Sequence, residues 1–118
     1  MKKSAEFRQV YSFGRRYDSH LMTIFILQND LSQHRLGLTA SRKAIGCAVL
    51  RNRTKRVLRE TFRLSESSVT TLQKTYDWVF NAKRGLLRVR TQNAIEEFNK
   101  LLERIACDEQ NLLSEGSE

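Results

Sequence analysis

Leu50-Arg51-Asn52-Arg53-Thr54-Lys55-Arg56-Val57-Leu58-Arg59-Glu60-Thr61-Phe62-Arg63 carries two patterns at once. At helical spacing, Leu50, Thr54, Val57, Leu58 and Thr61 fall within a span of about 100°, with Phe62 just outside it. Lys55, Arg56, Arg59 and Arg63 fill the opposite side, and Arg51 and Arg53 flank the entrance. Gly and Pro are absent and strong helix formers are dense, so a helix is predicted over 52–64. Six cations between 51 and 63 face one local acid, Glu60. That imbalance argues against an ordinary solvated face. The apolar side would seat the helix on a core while the cationic side meets phosphates. Arginine forks onto two phosphate oxygens, whereas lysine acts as a point charge.

The charge around this helix is uneven. Residues 1–63 hold 14 Lys/Arg against 4 Asp/Glu, a net of +10. Residues 64–118 hold 7 Lys/Arg against 9 Asp/Glu, a net of -2, which gives the total of +8. Such a field attracts polyanions. Nucleic acid is the first candidate and an anionic membrane surface the second. No apolar run approaches the length of a membrane span, and the first residues show no secretory pattern, so a cytoplasmic location is expected. Cys47 and Cys107 form no CxxC pair and read as reduced thiols. The 118 residues suffice for one domain with one modest core.

Outward from the basic helix, the elements fall into order. Ser4 to about Phe13 reads as a short helix stopped by Gly14, with Phe7, Val10 and Tyr11 on one stripe. Residues 21–27, Leu-Met-Thr-Ile-Phe-Ile-Leu, have strand composition. A turn at 28–33 leads to a second strand at 35–41 and a basic turn at 42–46 containing Arg42 and Lys43. Ala48-Val49-Leu50 reads as a short strand or a helix entry. Residues 65–75 read as irregular or with one helical turn, 76–82 as a buried strand ended by Lys83-Arg84-Gly85, and Thr91 to Ala106 as a helix. Residues 107–118 read as a polar, acidic, flexible tail outside a single RNA-binding domain at 1–106. The simplest closed core is an α+β sandwich, a three- or four-stranded sheet with helices packed on it.

Protein-based catalysis finds little support. His20 and His34 lie in no metal-ligand cluster, no phosphate-binding glycine motif is present, and no two carboxylates pair by spacing. Catalytic residues and protein-held metals are therefore not assigned. Phe7, Tyr11 and Phe13 sit beside Arg8, Arg15 and Arg16. Aromatic faces and guanidinium planes stack on bases in single-stranded RNA recognition. The residues alone leave that reading open beside a simpler one, in which Phe7 and Tyr11 are core residues of an amphipathic helix.

Arg35-Leu36-Gly37-Leu38-Thr39, Ser41-Arg42-Lys43 and Ala48 through Glu60, with Arg-Asn-Arg at 51–53 and Phe62-Arg63 after it, resemble the signature of the bacterial ribonuclease P protein family. Glu6 to Tyr11 with Gly14 resembles that family's first helix, and Asp77 to Lys83 its late strand. The likeness spans about residues 2–105. It implies an α/β sandwich of a mixed four-stranded sheet with three helices, in the order αβββαβα. A left-handed βαβ crossover, as in ribosomal protein S5 domain 2-like folds, comes with it, whereas general rules favour a right-handed one.

The resemblance implies a function as well. An RNA subunit with Mg²⁺ removes the 5′ leader of precursor tRNA, and the protein, a monomer without its own catalytic groups, contacts catalytic RNA and leader. By the same likeness Arg51, Asn52, Arg53, Lys55, Arg56, Arg59, Arg63, Arg42 and Lys43 meet the catalytic RNA. Phe7, Tyr11 and Phe25, with Arg8, Arg15 and Arg16, meet the leader. Relatives often carry a longer basic N-terminal arm, and Tyr11 stands where many have Phe. Leu86-Leu87-Arg88-Val89-Arg90 is unusually basic and reads as an added RNA contact. The rival functions are a general RNA-binding or ribosome-associated module, a self-sufficient nuclease and a membrane-surface protein.

Overall fold

Strand β4 (Tyr76–Ala82) organises the molecule, for which a computed structural model describes residues 4–116. It pairs antiparallel with β2 (Met22–Gln28) and parallel with β3 (Arg35–Thr39). A short strand β1 (Arg15–Asp18) pairs antiparallel with β2, giving the sheet order β1-β2-β4-β3. The helices are α1 (Ser4–Phe13), a single turn α2 (Arg42–Ile45), α3 (Ala48–Leu64), a single turn α4 (Glu66–Val69) and α5 (Thr91–Gly116), with a 3-10 segment at Arg84–Arg88 before α5. This is the mixed four-stranded α+β sandwich that the resemblance implies, with α1, α3 and α5 as the principal helices. The parallel pairing of β3 with β4 needs a crossover, and α3 supplies it.

Strand alternation sorts the sheet into two faces. Met22, Ile24 and Ile26 stand beside Ala82, Phe80 and Trp78 on one face. There α3 and α5 seal a core in which Trp78, Phe80, Phe98, Leu58 and Ile105 are fully buried. Rings interlock across the layers, with Phe62 5.5 Å from Trp78 and Phe80 5.1 Å from Phe98. Each such pair adds about 0.5–1.5 kcal/mol beyond area burial. Thr54 and Thr61 are buried on the apolar stripe of α3, and their hydroxyls donate to the carbonyls of Arg51 and Val57. That local bonding makes two polar residues acceptable in a core.

The structure differs from the sequence expectations at three places. β1 is not among the strands the sequence pattern predicts; it is an edge strand, where the charge of Arg15, Arg16 and Asp18 is normal. Ala48-Val49-Leu50 enters α3 and forms no strand. The flexible tail expected at 107–118 begins, over its described part, as unbroken helix. Glu109 is 6 % exposed and accepts from the backbone N–H groups of Gln73 and Lys74 and from the Tyr76 hydroxyl. Asp108 accepts from the Tyr17 hydroxyl at 2.6 Å. Two acids of the expected tail are thus tied to the sheet and to the 70–75 segment, and the helix continues past Ala106.

Candidate RNA interface

The second sheet face is covered mainly by α1. Gly14 lets that helix come close: a Cβ there would lie 2.5 Å from the carbonyl oxygens of both Ile26 and Val10. Val10 is fully buried. Polar links fix the rest of the helix. The Tyr11 hydroxyl donates to Asn81 Oδ1 at 2.9 Å, and Arg35 reaches Glu6 at 3.2 Å while forking onto Asp77 at 2.7 and 2.6 Å. Burial pushes the Asp77 carboxyl up, but hydrogen bonds from Arg35 and Asn29 outweigh it and hold the group below the usual carboxylate range.

Ser4, Phe7, Arg8, Tyr11, Ser12 and Thr39 line an open groove of about 460 Å³ between α1 and the sheet edge. Phe7 is half-buried and Tyr11 is 40 % exposed. Tyr11 meets Phe25 edge-on with centroids 4.9 Å apart, and the Arg16 guanidinium lies over Phe25 at 5.8 Å. The structure therefore gathers Phe7, Arg8, Tyr11, Phe25 and Arg16 on one face. Arg15 departs from them: it lies over Tyr17 and faces Asp108 at 3.9 Å, because alternation turns it to the opposite side of β1.

Residues not anticipated from sequence continue this surface. Asp18, Thr23, Asn81 and Thr39 occupy paired positions on four successive strands and form a polar row across the sheet. Thr23 donates to Asp18 at 2.6 Å, Thr39 donates to Asn81, and Lys83 and Arg16 both reach Asp18 at 2.9 Å. The hydrogen bonds from Thr23 and then Lys83 hold the Asp18 carboxyl down to about 2. The available signal was the alternation, since Thr23, Thr39 and Asn81 are polar positions in otherwise apolar strands.

The second surface is α3. Asn52, Arg53, Arg56, Arg59 and Arg63 are exposed along it, while Arg51 and Lys55 are half-buried. Glu60 pairs with Arg63 at 2.7 Å and engages that cation. Arg42 and Lys43 are exposed on α2, which Ser41 caps through the Ala44 N–H and which packs beside the start of α3. The basic 86–90 stretch also comes close: Arg53, Arg56 and Arg90 share a groove of about 340 Å³ with Thr91. Among the described residues, no three His, Cys, Asp or Glu side chains form a group able to hold a metal ion. No described helix is long and apolar enough to cross a membrane.

Comparison with known proteins agrees with this architecture. The family model described as Ribonuclease P matches residues 1–106. The ribonuclease P protein component of Clostridium kluyveri is 36 % identical over 103 residues, covering 85 % of this chain and 90 % of the relative. That of Alkaliphilus metalliredigens is 40 % identical over 83 residues, covering 70 % of this chain and 71 % of the relative. The solved ribonuclease P protein of Thermotoga maritima superposes with a TM-score of 0.76 at 26 % identity, covering 88 % of this chain and 94 % of that one. The Staphylococcus aureus protein gives 0.75 at 26 % identity, covering 89 % and 93 %. A basic crossover helix carrying Arg-Asn-Arg and an aromatic groove on the far side of one mixed sheet accompany a match over most of the chain: it belongs to the bacterial ribonuclease P protein family, whose members are subunits of that ribonucleoprotein endonuclease.

Proposed function

We propose that the α1 groove holds the single-stranded 5′ leader of precursor tRNA while the exposed face of α3 contacts the catalytic RNA. The observation that carries this reading is the second sheet face. Its aromatic edges, Phe7 and Tyr11, stay open beside Arg8 and Arg16, whereas Trp78 and Phe80 on the other face are fully buried. Flat rings take successive bases and nearby cations track the backbone. On the other side of the sheet, Arg53, Arg56 and Arg59 present guanidinium forks to phosphates, with Asn52, Lys55, Arg51, Arg63, Arg42 and Lys43 around them.

The protein's part is positional. Gripping the leader fixes the scissile bond relative to the catalytic RNA and lowers the entropic barrier of the cleavage step, with no proton or nucleophile supplied by a side chain. Mg²⁺ belongs to the RNA subunit, and the chain works in the cytoplasm as a monomer bound to that RNA. The test is the affinity of the reconstituted enzyme for precursor and mature tRNA. Tighter binding of the leader-bearing form is expected; equal binding would sink the leader role.

A further inference from the structure

A pocket of about 630 Å³ opens on the core side of the sheet, away from α1, between β3, the last turns of α3, α4 and the 70–75 segment. Its floor is apolar, built from Leu36, Phe62, Val69 and Leu72. His34 forms part of the wall, and its orientation is fixed. Nδ1 accepts from the Tyr76 backbone N–H and from the Trp78 indole N–H, both at 3.0 Å. With that lone pair occupied, the ring proton sits on Nε2, which has no hydrogen-bond partner among the described residues. The pocket thus pairs an apolar floor with one directed donor.

Its mouth is charged. Arg59 and Lys74 line it; neither side chain is hydrogen-bonded or within ion-pair distance of an acid among the described residues, although Arg59 lies near enough to Glu60 to help hold that carboxyl down. Arg63 is there too but is engaged by Glu60, and Glu66 adds one acid. Arg59 continues the stripe of α3 that carries Asn52, Lys55 and Arg56, so the pocket lies at the end of the proposed RNA-facing surface.

We propose that this pocket receives one unpaired nucleotide of the catalytic RNA, its base on the apolar floor with an acceptor edge toward His34 and its phosphate against Arg59 and Lys74. A nucleotide meets all three features at once. An apolar side chain of a protein partner would leave the His34 donor unpaired and would not use the two cations. The volume lies within the range of cavities that enclose small ligands. The inference rests on the reading that α3 faces RNA, and it concerns the opposite side of the sheet from the leader groove.

The test uses the reconstituted holoenzyme. Thr70→Cys, in a chain with Cys47→Ser and Cys107→Ser, carries a photoactivatable aryl azide at the exposed rim. Irradiation is expected to join it to one unpaired nucleotide of the catalytic RNA. Crosslinks confined to duplex backbone or to the leader, or no crosslink, would overturn the proposal. In a second arm, Thr70→Trp blocks the mouth and Lys74→Ala removes an exposed cation. Each should weaken assembly with the catalytic RNA by about tenfold or more, the scale of one lost base contact, while preserving the precursor-to-mature preference. Unchanged assembly in both variants would also overturn it. Loss of the leader reading would show separately, as equal precursor and mature affinity in the unsubstituted enzyme.

Discussion

One strand serves two unlike layers. On one side of β4, Trp78, Phe80 and Ala82 are sealed beneath α3 and α5 by interlocking rings. On the other, Asp77, Val79 and Asn81 lie toward a single short helix held by Gly14, Val10 and a few polar links. The sealed face is where stability resides. The α1 face keeps aromatic edges and hydroxyls within reach of solvent, an arrangement that suits binding. Substitutions should therefore separate, those of the sealed rings acting on folding and those on the α1 face acting on leader binding.

The largest effect expected is on the sealed face. Phe98 is fully buried among Phe62, Trp78 and Phe80. Phe98→Ala should cost about 3–5 kcal/mol in urea unfolding while the folded fraction keeps its preference for leader-bearing tRNA. A cost below about 1 kcal/mol would break the comparison, since the core would then not depend on its rings.

The α1 face should answer in the opposite way. Phe7→Ala and Tyr11→Ala should each weaken leader binding by about 1–3 kcal/mol, read as a fall in the precursor-to-mature affinity ratio. Tyr11→Phe sharpens the point by keeping the ring and removing the bond to Asn81. Its stability cost should be about 1 kcal/mol, with stacking retained. If Tyr11→Phe loses as much leader affinity as Tyr11→Ala, the hydroxyl and its polar row outweigh the ring.

Much of the sealed face was legible in the sequence, and less of the open one. The stripe at Leu50, Thr54, Val57, Leu58 and Thr61 predicts its own burial, because helical period is a strong signal over several turns. The family likeness singled out Phe7, Tyr11 and Phe25, which the structure brings to one face. The polar row stayed hidden because Asp18, Thr23, Thr39 and Asn81 are far apart in sequence and meet only through strand register. Adjacency groups Arg15 with Arg16, yet in a strand neighbours point to opposite faces. Glu109 read as a tail residue because its partners, Tyr76 and the 73–74 backbone, are more than thirty positions away.

A finer distinction lies within α3 itself. Arg53 makes no ion pair among the described residues, whereas Arg63 is already engaged by Glu60. Arg53→Ala should reduce the salt dependence of catalytic-RNA binding by about one released ion, measured as the slope of log affinity against log salt. Arg63→Ala should reduce it by less, because RNA must first displace the Glu60 carboxylate. Equal slopes would mean that the pair opens freely on binding.

The smallest effect tests the wall between the core and the second pocket. Burial lowers the His34 pKa below its ordinary 6.5, outweighing the upward pull of Glu109. As pH falls below 6.5, the unfolded chain takes up this proton first, so the native state loses stability until its own lower pKa is passed. The His34 contribution is thus fully present above 6.5 and is lost as pH falls from there toward the lower native value. Asp18 and Asp77 are both held below the ordinary carboxylate range, so their losses begin at more acidic pH. The melting temperature should fall over this window, and His34→Gln should flatten that slope. The indole N–H signal of Trp78, the single tryptophan, should move with it, since protonated Nδ1 cannot accept that bond. If acidification instead raises the melting temperature, the imidazole is gaining a partner for its charge, and the fixed Nε2 donor that distinguishes this wall is not there.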